Sequence, residues 1–362
     1  MSSRHDTSEG LIILGPYPPP FGGVAIFNDN LFEAVRGEHS NTELWTNADL
    51  CKEGQRIHFF KTGLIGNIKF LINHAAKRTI LDSTVSSAEY PNFKSILAWV
   101  LLKPFLKFKW IKVIHDGTLP ARHQTFGIFQ KFLLRLSLRS YDRVLTVNKK
   151  LFNWAKHLSP SNLDIHQITS LLPPKDLEIE TALPQTIKDK LRTCDKRVCT
   201  MGAFTNNYGF KQIVNAVENL RNQHDLDIHL VMIAGGFTKD INYRDDLLRG
   251  RDWAHAFTDL PHPQALQVLK ASNVFVRATK EESYGLCKVE SILCGTPVLA
   301  TNTGETRGMS LYDPLDANQL QIQLYKILYE QRNPDLKSFQ ELFKREAQQN
   351  LQSILSVINI NS

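Results

Sequence analysis

Short runs of Val, Ile and Leu alternate with helix-period segments along nearly the whole chain, and few architectures can absorb that alternation. Continuous apolar runs of four to six residues suit strands buried on both faces, and parallel strands need a helical crossover between them. In the first half the pattern predicts strands at Leu11–Leu14, Thr42–Trp45, Thr79–Asp82, Ile111–His115 and Arg143–Val147, with helices such as Phe27–Val35 and Ile128–Leu138 between them. The pattern breaks at Leu171-Leu172-Pro173-Pro174, and a polar, acidic stretch through Glu180 to Pro184 follows. It then resumes with strands at Val198–Met201, His229–Ala234, Ala254–Thr258, Val274–Arg277 and Val298–Ala300, and helices at Phe210–Arg221 and Pro263–Lys270. At 362 residues the chain exceeds one ordinary domain and suits two α/β domains with a cleft between them. The expected boundaries are 1–173, a linker over 174–196, a second domain over 197–335, and a long helix within 336–362 with no strand behind it, free to cross back onto the first domain.

Net charge is +7, and its distribution says more than its size. Residues 1–173 hold 21 Lys and Arg against 13 Asp and Glu, whereas the remainder holds 22 against 23. Much of the excess sits beside large apolar residues, in Phe59-Phe60-Lys61, Lys69-Phe70-Leu71 and Lys103-Pro104-Phe105-Leu106-Lys107-Phe108-Lys109-Trp110. That mixture suits an anionic membrane surface, where charge attracts and apolar side chains insert; it equally suits amphipathic elements with solvated lysines. Nucleic acid is not expected, because zinc-finger spacing, an RNP-like aromatic signature and an isolated basic tail are all missing from the sequence. Cys51, Cys194, Cys199, Cys287 and Cys294 are odd in number and show no CxxC spacing, which points away from a disulfide framework or zinc site and toward a reducing compartment. Met1–Gly10 is polar, without the apolar core of a signal peptide, and no run reaches the ~18 apolar residues of a membrane span. The expected location is cytoplasmic, peripheral at the inner face of the membrane.

Two junctions carry the candidate chemistry. The first strand stops in Gly15-Pro16-Tyr17-Pro18-Pro19-Pro20-Phe21 and enters a helix through Gly22-Gly23. Glycines there let a backbone approach a ligand, and the helix start offers unpaired N–H groups to a phosphate or sugar; a tight structural turn would use the same residues. The spacing is not the GxGxxG of a dinucleotide site. The second junction runs from Arg277 through Thr279-Lys280-Glu281-Glu282-Ser283-Tyr284-Gly285-Leu286-Cys287-Lys288 to Glu290, followed by Gly295-Thr296-Pro297-Val298. A strand ending at Arg277 and a helix opening near Gly285 would aim Glu282 at a ligand on the carboxyl edge of the sheet, with the amides of Tyr284, Gly285 and Leu286 turned the same way.

The Glu282 and Glu290 pair resembles the E-x7-E motif of glycosyltransferase family 4 and its GT-B relatives, and Gly22-Gly23 and Gly295-Thr296-Pro297-Val298 fall where that family has comparable segments. The resemblance spans essentially the whole chain. It implies the GT-B architecture, α/β with two Rossmann-like parallel-sheet domains, and a retaining transfer from a nucleotide sugar to a lipid-linked or polysaccharide acceptor of the capsule, exopolysaccharide or O-antigen type. It further implies that Glu282 faces the transferred sugar, that Glu290 holds the ribose hydroxyls, and that Gly23 approaches the donor phosphates. His115 would lie against the donor sugar, with Asp116 either sharing that role or capping the turn.

One departure stands out. Such enzymes carry an Arg and a Lys after the first strand of the second domain to neutralise the leaving diphosphate, and here Ala203 and Tyr208 occupy those places. Lys211, Arg277, Lys288 and Arg307 are the candidates to replace them; a polysaccharide-assembly branch shares the Tyr-Gly turn and the late arginine. No metal or other cofactor is expected if fixed cations stabilise the leaving group, and Asp225-Leu226-Asp227, ahead of a strand rather than after one, reads as a solvated turn. Two other functions fit the same features: a nucleotide-sugar epimerase, and a non-catalytic subunit of a polysaccharide-assembly complex.

Overall fold

The computed structural model describes residues 10–37, 39, 41–47, 56–84, 93–192, 194–235, 241–330 and 335–358. Cys51 and most of the Met1–Gly10 stretch lie outside the described residues. The chain forms two compact units: one comprises 1–19, 24–172 and 348–362, the other 20–23 and 173–347.

The first unit is built on a seven-stranded, wholly parallel sheet: β1 (Leu11–Leu14), β2 (Thr42–Thr46), β3 (Ile57–Phe59), β4 (Thr79–Asp82), β5 (Lys109–Ile114), β6 (Arg143–Thr146) and β7 (Asp164–Gln167), in spatial order β3-β2-β1-β4-β5-β6-β7. The sequence runs outward from β1 in one direction and then from β4 in the other, so strand order reverses between β1 and β4. Helices Gly23–Arg36, Phe93–Leu106, Ile128–Ser140 and Lys149–Leu158 provide crossovers. The core gathers Leu11, Ile13, Phe27, Phe32, Trp110, Val113 and Leu145. His115 follows the last residue of β5 instead of closing it.

The second unit carries six parallel strands: β8 (Lys196–Gly202), β9 (Ile228–Ala234), β10 (Ala254–Thr258), β11 (Val274–Arg277), β12 (Val298–Thr301) and β13 (Ser310–Tyr312), in order β10-β9-β8-β11-β12-β13. Its reversal lies between β8 and β11, which pair through Val198–Val274 and Cys199–Phe275. This is the doubly wound topology in which ligands bind beyond the carboxyl ends of the strands at the switch point. The stretch expected as linker contains a helix, Gln185–Arg192. The last helix, Leu336–Ile358, donates Gln340 to the carbonyls of Ile292 and Leu293 in the second unit, whereas Leu351, Ile354, Val357 and Ile358 complete the core of the first.

Three strands had no counterpart in the sequence pattern: β3, β7 and β13. All are sheet edges of three or four residues with partly exposed side chains, so they lack the apolar run that marks a central strand. The basic and apolar stretches also resolve differently from the membrane expectation. Phe60, Phe70, Leu71, Phe108 and Trp110 lie in the first core, and only Phe59 and Phe105 of those aromatics face solvent. Of the lysines beside them, Lys61, Lys69 and Lys107 are exposed, whereas Lys103 pairs with Asp142 at 2.8 Å.

Candidate functional site

The switch point of the second sheet assembles a buried ionic cluster. Arg277, the last residue of β11, reaches back across β8 to donate to the Met201 carbonyl, and turns its Nε toward both oxygens of Glu282 at 3.2 and 3.3 Å, with Nη2 closing a second bond. Lys288 Nζ lies 3.6 Å from Glu282 Oε2 and donates to the Thr303 carbonyl, while Thr279 Oγ1 donates to Oε2 at 3.3 Å. Burial on its own would raise the Glu282 pKa; the charge and hydrogen bonds of Arg277, aided by Lys288 and Thr279, outweigh it and hold the carboxyl below the usual range. Burial draws Lys288 down from the ordinary lysine value, with Glu282 opposing.

Two glycines make this geometry attainable. Gly285 caps helix Leu286–Leu293 at φ 86°, and a Cβ there would stand 2.3 Å from Lys288 Cε and 2.8 Å from Glu282 Oε2. Gly209, at φ 64°, lies so close to the next loop that its Cβ would stand 2.4 Å from the Ala278 carbonyl oxygen. Gly209 ends the short turn Asn206–Tyr208, which sets the Tyr208 ring 4.7 Å from the Arg277 guanidinium carbon. Tyr208, standing where a lysine was expected, therefore holds a cation in place through its ring face.

The remaining sequence candidates distribute as follows. Tyr284 is buried and its carbonyl accepts from Glu305 N at 2.8 Å. Leu286 opens the helix that carries Lys288 and Glu290. Glu290 is buried, with Oε1 2.9 Å from His262 Nε2. Lys211 is exposed in the first turn of helix Phe210–His224. Arg307 gives its guanidinium to Glu305, at 2.9 and 2.7 Å, and to Glu346, at 2.6 and 2.8 Å. It braces the last helix through those bonds. In the first unit His115 is buried edge-on to Phe27, with ring centroids 4.9 Å apart, and burial with the nearby Lys112 charge depresses its pKa to about 3. The ring is neutral throughout the physiological range. Asp116 accepts from Thr118 N and Oγ1 at 2.8 and 2.6 Å and pairs with Arg122 at 2.9 Å, which makes it the cap of the following turn. Asp227 lies ahead of β9 and pairs with Arg221 and His229.

The glycine loop behaves unlike Gly285. A Cβ at Gly22 or Gly23 would meet nothing within 4 Å, so packing does not demand glycine at either position. Residues 20–23 group with the second unit, and the Phe21 carbonyl oxygen lies 2.2 Å from where a Cβ on Gly235, just past β9, would stand. Gly235 and Glu282 thus follow the carboxyl ends of strands two places apart in one sheet, about 10 Å by the usual strand spacing. No sequence pattern marks Met201, Thr303, Asp176 or His262, which meet the cluster through contacts distant along the chain; Thr279 lies within the junction itself, three positions ahead of Glu282.

Residues 185–309 match the family model described as "Glycosyl transferases group 1". No curated protein matches the chain in sequence. Among solved structures, an Anabaena HepE protein in complex with UDP and glucose superimposes with a TM-score of 0.73 at 14% identity, covering 97% of this chain and 99% of that one. A sucrose-phosphate synthase from Thermosynechococcus elongatus gives 0.68 at 15% identity, covering 97% and 96%. A trehalose-6-phosphate protein from E. coli, bound with UDP-2-fluoro glucose, gives 0.70 at 12% identity, covering 97% and 99%. The chain therefore has the GT-B fold, and its residues 185–309 form a glycosyltransferase group 1 domain.

Proposed function

We propose that the protein is a retaining glycosyltransferase of the family 4 type, moving a sugar from a nucleotide-sugar donor to a saccharide or lipid-linked acceptor in capsule, exopolysaccharide or O-antigen assembly. The observation that carries this reading is Glu282, held ionised between Arg277 and Lys288 at the switch point, eight positions ahead of the buried Glu290. The structural neighbours that hold UDP with glucose, or a UDP-sugar analogue, support a nucleotide-sugar donor.

In this reading the bond between the anomeric carbon and the diphosphate breaks, the acceptor oxygen bonds to that carbon on the same face, and its proton passes to the departing phosphate oxygen. Two cations against one carboxylate leave one positive charge in the cluster uncompensated, which suits a leaving diphosphate. Arg277 and Lys288 would take the place of the Arg and Lys replaced by Ala203 and Tyr208, so the reaction needs no metal. The ring contact between Tyr208 and Arg277 favours an active enzyme with rearranged cations over a degenerate subunit. Gly22 and Gly23 would let the backbone approach the donor, and the neutral His115 would hydrogen-bond the sugar.

The acceptor side draws on a face that keeps Phe105 and Lys107 of the basic stretch noted in the sequence and adds exposed residues of a neighbouring helix. Ile128 is 91% exposed, Phe105 is 81% exposed, and Leu101, Phe129 and Phe132 are exposed with them, alongside Lys107, Arg135 and Arg139. Helices Phe93–Leu106 and Ile128–Ser140, which bear all of these residues but Lys107, pack together. This is the composition of a peripheral contact with an anionic membrane. No helix among the described residues is long and apolar enough to cross one.

Incubation with a panel of radiolabelled nucleotide sugars and lipid-linked saccharides tests the reading. Transfer in the presence of EDTA, with the anomeric configuration kept, is expected. Epimerised donor, or no turnover with any pair, would overturn it. Sedimentation with anionic vesicles, lost at high salt and in Phe129→Ser/Phe132→Ser, is the expected membrane result.

A further inference from the structure

His262 stands between two carboxylates. Its Nδ1 is 2.8 Å from Asp176 Oδ2 and its Nε2 is 2.9 Å from Glu290 Oε1. The three residues are 8%, 6% and 5% exposed, so water does not mediate or relieve the arrangement. A neutral imidazole carries one N–H and one lone pair, and either tautomer would turn the lone pair onto a carboxylate; only the imidazolium donates at both ends. Asp176 comes from the turn after Pro174, and that segment is pinned along helix His262–Lys270, where Gln267 donates to the Ile179 carbonyl and Lys270 to the Leu177 carbonyl. The Asp176 carboxylate is therefore fixed, and so is the ring between it and Glu290.

We infer that His262, as an imidazolium anchored by Asp176, is a positioning residue that orients Glu290 to receive the hydroxyls of the bound nucleotide. The inference rests on the proposed nucleotide-sugar reading and deepens it. Glu290 Oε1 is taken by the ring, while Oε2 makes no hydrogen bond among the described residues and is left for a ligand. Burial opposes charge on His262, yet Glu290 and Asp176 prevail and raise its pKa to about 10. The other titratable groups near the triad do not compete. The Cys287 and Cys294 thiols are pushed up by burial, to about 11 and about 12, and stay protonated, and the Lys270 amine is engaged by Leu177. A folded-state value above that of the unfolded chain means that the charged ring persists as pH rises until it passes about 10.

The experiment measures affinity for UDP, GDP, ADP and CDP by calorimetry from pH 6 to 8.5, using the tightest binder for the wild-type chain, Asp176→Asn and Glu290→Gln. Wild-type affinity should change with pH only through ionisation of the ligand's terminal phosphate, pKa about 6, which is common to every variant. In Asp176→Asn the ring loses one of its two anions and should titrate within the range, so affinity should match wild type at pH 6 and fall about tenfold by pH 8.5. Equal weakening at every pH, or none, overturns the inference and shows Asp176 and His262 to be merely structural. Wild-type affinity in Glu290→Gln, or failure of all four nucleotides to bind the wild-type chain, would instead overturn the nucleotide site itself and this inference with it. Imidazole nitrogen shifts of the wild-type chain give an arm that needs no variant: both ring nitrogens of His262 protonated at pH 8 is expected, and a neutral ring there refutes the inference.

Discussion

Replacing Arg277 with methionine removes a cation from the cluster while keeping much of the side-chain volume. Glu282 would lose the guanidinium bonds and stay buried, with Lys288 Nζ at 3.6 Å as its remaining charged partner. Two unit charges ~4 Å apart attract by about 4 kcal/mol at an effective dielectric of 20, so Lys288 keeps a comparable share and the loss falls near the lower end of what breaking a buried pair costs, about 3 kcal/mol. For a domain of this size that is a fall in Tm of roughly 6–12 °C. The pH dependence identifies the cause. In the wild-type chain Glu282 is held below its unfolded value, so its ionised form contributes stability that is complete above that value and lost as pH falls through the folded one. Without Arg277, burial becomes the larger influence and the protonated carboxyl is preferred, so the deficit should shrink between pH 7.5 and pH 5. Arg277→Met/Glu282→Gln leaves the buried Lys288 ammonium without its carboxylate partner, so it should recover none of the loss at pH 7.5. Urea unfolding of the four chains at both pH values makes the measurement. A deficit independent of pH would refute the electrostatic account and leave only lost packing of Arg277 on Tyr208.

Glu282→Gln should retain the fold, judged by circular dichroism, while lowering transfer at least 100-fold; unchanged turnover would remove Glu282 from the site. Gly23→Ala meets open space, so its stability should change by less than about 1 kcal/mol, while donor affinity falls about tenfold if the loop approaches the diphosphate; calorimetry on one sample reads both effects. Gly285→Ala places a Cβ against Lys288 and Glu282 at φ 86°, and should cost about 1–3 kcal/mol in denaturant unfolding along with most of the activity. The His115 ring, with its pKa near 3, should show no imidazole titration in NMR between pH 5 and 8, so any acid limb of the activity profile in that range belongs to another group.

The alternation of apolar runs and helical segments determined the parallel α/β class and located most strands, because strands buried on both faces must be apolar throughout, whatever surrounds them. It could not show β3, β7 or β13, whose edge positions place no such demand on composition. The spacing of Glu282 and Glu290 was legible because a strand, loop and helix in immediate succession fix both carboxylates locally. What those carboxylates do was not. Arg277 meets Met201 from 76 positions away, and His262 meets Asp176 and Glu290 from 86 and 28, pairings created by strand order and helix docking. The same limit left open whether Phe60, Phe70 and Trp110 face a membrane or the core: lysine beside an aromatic reads alike whether the ring turns inward or outward, and only the packed sheet decides which. Local chemistry sets what each segment can form, and the tertiary fold sets which charges must share one desolvated space.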